Sequence, residues 1–258
     1  FISDEQAVDQ LQNQVALQSA TLAANYVEKE DYANAVIQYK KAVVLNPNNT
    51  VYLRQLGDNQ AILAQYQQAQ QSFESALAID RAQAASSIAV AKDLRWLAKL
   101  ALKMGLFDQA LNYSEQALVM AKQHVDDESQ LVSYYNSLAK SHLKLTNYSL
   151  AKKNIDKAFE LLDETLKQNQ PLLAKLYTTR AVLYTRQQQY LEAVPDYTKA
   201  LALNVQVYGE QHSKVALSQG YLGSIYNMVG QQSQALHYYN KAMTVYRGIL
   251  GDNHPQVG

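Results

Sequence analysis

Ala35 returns as Ala69, Ala110, Ala151, Ala193 and Ala235, and each is followed seven residues later by another alanine, at Ala42, Ala76, Ala117, Ala158, Ala200 and Ala242. The copies lie 34, 41, 41, 42 and 42 residues apart. A fixed period in this range marks an array of helical hairpins. Such a chain buries the apolar face of each unit against its neighbours instead of around one centre. It has no single catalytic cleft by default; what it offers is surface.

Other features of the sequence agree. The chain has 258 residues, 48% of them hydrophobic, but only 9 Gly and 4 Pro, which leaves little material for long loops or a β-rich fold. Lys plus Arg equals Asp plus Glu at 23 each, and this neutrality argues against a generic binder of nucleic acid or of membrane surfaces. With no cysteine, disulfides, zinc–thiolate sites and thiol catalysis are excluded. A reduced cytosol, which we favour, and a disulfide-free periplasm are both compatible with that. No apolar run reaches the roughly 20 residues of a membrane span, so no membrane insertion is expected.

Within one period the residues fall into two helices, A and B, with apolar positions three and four apart. The units are 16–49, 50–83, 91–124, 132–165, 174–207 and 216–249, within an array over 16–258. Residues 1–15 form an N-terminal helical extension that runs into the first helix without a breaker, with Ser3-Asp4-Glu5-Gln6 as its capping box. Helix A carries a bulky-small pair at Leu22-Ala23, Leu56-Gly57, Leu97-Ala98, Leu138-Ala139 and Leu222-Gly223. Helix B opens on an aromatic at Tyr32, Tyr66, Phe107, Tyr148 and Tyr190. The small residues let A and B approach closely, and the aromatics fill the space beside them.

Several departures carry expectations. Arg180 stands where the other units have leucine, and Pro195 is expected to kink its B helix. Pro171 lies in a first helical turn, where it does no harm. The added length of the later units is expected mainly at the end of helix B. Adjacent rings such as Tyr134-Tyr135 and Tyr238-Tyr239 should each leave one ring outside. Asp126-Asp127-Glu128 reads as a solvated helix end at a unit junction.

The Leu-Ala or Leu-Gly pairs, the Tyr at 26, 184 and 226, both alanine columns and Pro47 together resemble the tetratricopeptide repeat family over about residues 16–257. The connector Tyr208-Gly209-Glu210-Gln211-His212-Ser213-Lys214-Val215 matches Leu250-Gly251-Asp252-Asn253-His254-Pro255-Gln256-Val257 at an offset of 42. It resembles the long repeats of kinesin light chain-like and bacterial members. His212 and His254 are expected to cap that turn. The resemblance implies an all-α, right-handed α-solenoid of antiparallel helix pairs. It also implies a scaffold or adaptor role, with a partner peptide held on a concave wall lined by helix A. Gly258 aligns with Ala216, the first residue of the sixth unit, as expected of a fragment or of an uncapped end through which copies could associate.

The helix-A periodicity assigns the second, fifth, ninth, twelfth and thirteenth positions of each unit to that wall. The residues expected to bind peptide are Arg54, Lys92, Arg95, Lys99, Lys103, Asn136, Lys140, Lys144, Lys175, Thr178, Arg186 and Asn227. Between 91 and 144 the chain holds seven basic and six acidic residues, so this basic wall arises from sorting by face. It favours an acidic segment. Asn136 and Asn227 could hold peptide backbone, since an amide both donates and accepts, and Thr178, Val182 and Leu143 could pack apolar side chains. The chaperone-clamping members need Lys and Asn where this chain has Ala20 and Ala24, so chaperone tails are not expected.

No phosphate loop, nucleophile elbow or His-Glu-x-x-His motif occurs, and no cofactor, metal site or enzymatic activity is expected. None of the five histidines is paired at metal spacing on one helical face. His142 occupies a core tyrosine position, and Trp96 reads as core packing between units or as a ligand-contacting ring. The alternative to an adaptor is a regulatory or sensor segment of a larger signalling enzyme or transcription regulator.

Overall fold

The computed structural model describes residues 4–162 and 168–250. Ser3, His254 and Gly258, with the expectations attached to them, lie outside that range. Among the described residues the chain is α-helical without strands, and it divides into two compact units, 1–126 and 127–258.

Unit one holds three hairpins. They are α1 (Asp4–Glu28) with α2 (Tyr32–Leu45), α3 (Thr50–Ile62) with α4 (Tyr66–Gln83), and α5 (Ile88–Met104) with α6 (Phe107–His124). Unit two holds three more. They are α7 (Val132–Lys144) with α8 (Tyr148–Glu160), α9 (Gln170–Arg186) with α10 (Tyr190–Tyr208), and α11 (Ser213–Met228) with α12 (Gln232–Leu250). Partners in a hairpin pack together across short turns, which forces them antiparallel. Within each unit, successive hairpins also pack against each other, the stacking expected of an α-solenoid.

All twelve column alanines are buried, none more than 6% exposed. The small residue of helix A does the same work from the other side. A Cβ at Gly57 would come 2.7 Å from Cε1 of Phe73, and one at Gly223 would come 2.6 Å from Cδ1 of Tyr239. Only glycine permits these contacts. Aromatic rings then bridge hairpins. Phe73 stacks on Trp96 with centroids 5.6 Å apart, and Tyr197 stacks on Tyr221 at 5.3 Å. Trp96 therefore packs between hairpins two and three.

Every A-to-B turn is built alike. Glu30, Ala64, Gly105, Thr146, Gln188 and Gly230 all have positive φ, between 57° and 84°, and all occupy one repeat position. The residue after each donates its N–H back to the last turn of helix A, as in Asp31 to Tyr26 and Leu106 to Ala101, both at 2.9 Å. This left-handed closure satisfies carbonyls that a helix end leaves open. Helix starts are capped by Asn49, Ser87, Asn169 and His212, whose Nδ1 accepts from Lys214 N at 3.1 Å. Pro171 stands in the first turn of α9.

Some expectations change. Tyr134 and Tyr135 are both buried, at 4% and 8% exposure. An A helix inside a stack is covered by its own partner and by its neighbours, so its buried arc is wider than one stripe. Leu22 is 43% exposed, because α1 packs chiefly on α2. The added length of later units is shared: α5 and α9 have 17 residues against 13 in α3, while α10 has 19 against 14 in α2. Pro195 lies inside α10, where the sequence places it, exposed on the second turn. Asp127, read as part of a helix end, instead accepts from Ser129 N at 2.9 Å and starts the 3-10 turn Glu128–Leu131 that leads into α7.

Arg180, in the leucine position, is accommodated by a partner. Its Nε and Nη2 donate to the two oxygens of Asp196 at 2.6 and 2.8 Å, and its guanidinium lies 4.2 Å from the Phe159 ring centroid. Asp196 is 4% exposed, so its carboxylate is withdrawn from water, while Arg180 stays partly exposed.

Candidate functional site

In unit one, α3 and α5 are neighbours, so their A-helix positions share one face. Arg54 does not present its charge there. Its Nε donates to Asp93 Oδ1 at 2.6 Å, its Nη2 donates to Asp80, and 12% of its side chain is exposed. It ties α3, α4 and α5 together. Asp93 is fully buried, and a buried carboxylate without a nearby cation is costly. Burial pushes its carboxyl up to about 6, with Asp80 adding to the rise and Arg54 opposing it.

The other unit-one cations form a real but partly neutralised patch. Lys99 Nζ lies 2.5 Å from Asp58 Oδ1 and 4.4 Å from the Trp96 centroid. Asp58 and Lys99 hold the same position in successive repeats, so the pair crosses from one A helix to the next. Burial, with Lys99 adding and Asp58 opposing, lowers the pKa of Lys103 below that of an ordinary lysine. Lys92 is exposed, while Arg95 is half-buried with its guanidinium 6.0 Å from the Trp96 centroid.

In unit two, α7 and α9 are neighbours in the same way. Lys144, Lys175, Arg186 and Asn227 are exposed and Lys140 is half-buried. Of the side chains assigned to ligand contact, Asn136 and Leu143 turn inward, and half-buried Thr178 engages its hydroxyl within its own helix. Asn136 is 5% exposed, with its Oδ1 lacking a hydrogen-bond partner. Thr178 donates to Ala174 O at 2.7 Å, within its own helix. Leu143 belongs to a core with Ala139, Ala151, Ile155 and Leu183.

A cavity of about 500 Å³ opens between hairpins five and six. Val182, Thr185 and Arg186 of α9 form one wall; Ser224, Ile225 and Met228 of α11 form the other. Five of these six stand at helix-A positions assigned to the groove; Ile225 is the exception. Tyr197 and Tyr221 form the floor, and Tyr148 and Tyr190 complete the lining. Burial raises the pKa of Tyr197 and of Tyr221, so both hydroxyls stay protonated at neutral pH. The Tyr197 hydroxyl lies 3.4 Å from Thr185 Oγ1. The tyrosine floor was missed because neither Tyr197 nor Tyr221 stands at a helix-A position assigned to the ligand face. Its signal was the aromatic pair Phe73–Trp96, which Tyr197–Tyr221 reproduces in equivalent repeat positions.

The cavity can take an apolar or aromatic side chain, with a cation at its rim. Among the described residues no group of His, Asp and Glu could hold a metal ion, and no helix is long and apolar enough to cross a membrane.

Comparison with known proteins agrees with this architecture. Two tetratricopeptide repeat profiles match the chain, one over residues 20–49 and the other over residues 172–248. The chain is 27% identical over 168 residues to the "Clustered mitochondria protein homolog" of Aedes aegypti, covering 65% of this chain and 12% of that one. It is 29% identical over 148 residues to "Protein KINESIN LIGHT CHAIN-RELATED 3" of Arabidopsis thaliana, covering 56% of this chain and 21% of that one. It thus spans about an eighth and a fifth of the length of these relatives. BtubC (BKLC) from P. vanneervenii shares the fold with a TM-score of 0.60 at 18% identity, covering 88% of this chain and 92% of that one.

Proposed function

Because the chain is built of tetratricopeptide repeats, we propose that it acts as an adaptor that binds an acidic segment of a partner protein along its A-helix faces. Repeats of this family generally mediate protein–protein interaction, and their solenoids are typically non-enzymatic scaffolds. The finer reading rests on one observation: the cavity between hairpins five and six is walled mainly by positions that periodicity assigns to the ligand face, with Arg186 at its rim. An apolar or aromatic side chain enters between Tyr197, Tyr221 and Met228. Acidic residues beside it meet Arg186, Lys175, Lys140 and Lys144. In unit one, Lys92, Lys99 and Lys103 offer a second basic face, weakened by Asp58.

The test is a fluorescence anisotropy titration with labelled peptides in which one Leu or Phe is flanked by Asp and Glu. Raising salt from about 50 to about 500 mM shortens the Debye length roughly threefold. Affinity should fall about tenfold or more, and Arg186→Glu with Lys175→Glu should abolish binding at low salt. Affinity independent of salt, or untouched by the charge reversal, would remove the acidic-peptide reading.

A further inference from the structure

A second cavity, of about 390 Å³, lies elsewhere in unit two, among α10, the connector 209–212, α11 and α12. None of its lining residues belongs to the peptide cavity. Its size falls in the range of small-molecule sites. One lining residue, Gln219, is 8% exposed, and its Oε1 has no hydrogen-bond partner. Unsatisfied buried amides are uncommon, because losing water without gaining a partner is costly. Gln219 thus brings an unpaired acceptor to the lining of this cavity.

The rest of the lining narrows what that donor belongs to. Glu210, on the connector, is a second acceptor and carries negative charge. Lys241, on α12, supplies the opposite charge. Leu201, Val205 and Val245 give an apolar wall. Two acceptors suit an ammonium group, which has three N–H donors. A cation suits a carboxylate, and the apolar wall suits a hydrocarbon side chain.

We infer that this cavity binds a free α-amino acid with an apolar side chain. The ammonium donates to Gln219 Oε1 and to Glu210, the carboxylate meets Lys241, and the side chain lies on Leu201, Val205 and Val245. The proposal does not depend on the peptide reading. The ligand would occupy a junction between two hairpins, so it would stabilise their packing.

The experiment is thermal unfolding of the full chain with each of L-leucine, L-methionine, L-phenylalanine and L-glutamate, followed by calorimetric titration. At millimolar ligand, one of the three apolar amino acids should raise the Tm by about 2 °C or more, and L-glutamate should not. Gln219→Leu should fold with an unchanged or higher Tm and lose the ligand-induced shift. Lys241→Gln should weaken binding at least tenfold. Arg186→Glu, in the peptide cavity, should leave the amino acid response intact. No shift and no heat with any of the three apolar amino acids would overturn the proposal. So would equal binding by wild type, Gln219→Leu and Lys241→Gln.

Discussion

Replacing Gly223 by alanine places a methyl 2.6 Å from Cδ1 and 2.7 Å from Cε1 of Tyr239, while the same change at Gly220, three residues earlier in α11, meets nothing within 4 Å. Both substitutions gain the helix preference of alanine over glycine, about 0.5–1 kcal/mol. Only Gly223→Ala adds overpacking, which costs about 1–3 kcal/mol. Helix preference therefore cancels between the two variants, and the difference between them isolates the close approach of α11 and α12. The Tyr239 ring could swing outward, since it is 38% exposed. That movement would break its hydroxyl's hydrogen bond to Ser224 Oγ at 3.2 Å, so the cost persists in another form. The assay is urea unfolding followed by circular dichroism on wild type and both variants. Gly220→Ala should move the midpoint up and Gly223→Ala down. At Gly57 the effect should be larger, because Phe73 is 1% exposed and stacked on Trp96, with no exit. Two equal upward shifts in α11 would refute the packing argument.

Thr146 is a β-branched residue held at φ 60°, where Gly105 and Gly230 stand in other turns. Relieving that strain in Thr146→Gly should stabilise unit two by about 1 kcal/mol, read from its unfolding midpoint. Asp93 should make unit one less stable as pH rises. Its folded pKa of about 6 lies above the unfolded value of about 3.9, so its favourable contribution is complete below pH ~4 and lost as pH passes through ~6. The loss is on the order of 1–3 kcal/mol. Unfolding of Asp93→Asn, which can still accept from Arg54, should lack this pH dependence. Arg180→Leu should destabilise by about 3 kcal/mol, because Asp196 is left buried and unpaired. Adding Asp196→Ala should recover most of that loss in the same unfolding assay.

The hairpin stack was legible because its packing rule is written in one residue type. Alanine recurs where two helices touch, and a larger side chain there would overpack the contact. Part of the turn was legible too: Gly105 and Gly230 share a repeat position, but Glu30, Ala64, Thr146 and Gln188 hide the same left-handed conformation behind side chains. The site was read less well. Arg54 counted as a groove cation because its partners, Asp80 and Asp93, come from the neighbouring helix B and the next helix A. Such contacts leave no local periodic trace. The Asp58–Lys99 pair did leave one, since both stand at the ninth position of their repeats, one period apart. Adjacent A helices bring equal positions together, so groove charges had to be read in columns as well as along one helix. Asn136 and Leu143 failed for the reason that buried both Tyr134 and Tyr135: an A helix within a stack is covered on more than one side.

The peptide reading is tested most directly by backbone and methyl NMR of the chain titrated with an acidic, leucine-bearing peptide. Shifts should concentrate at Val182, Thr185, Arg186, Ser224 and Met228, around the tyrosine-floored cavity. Shifts confined to exposed B-helix residues such as Lys152, Glu192 and Lys199, with the cavity silent, would contradict it.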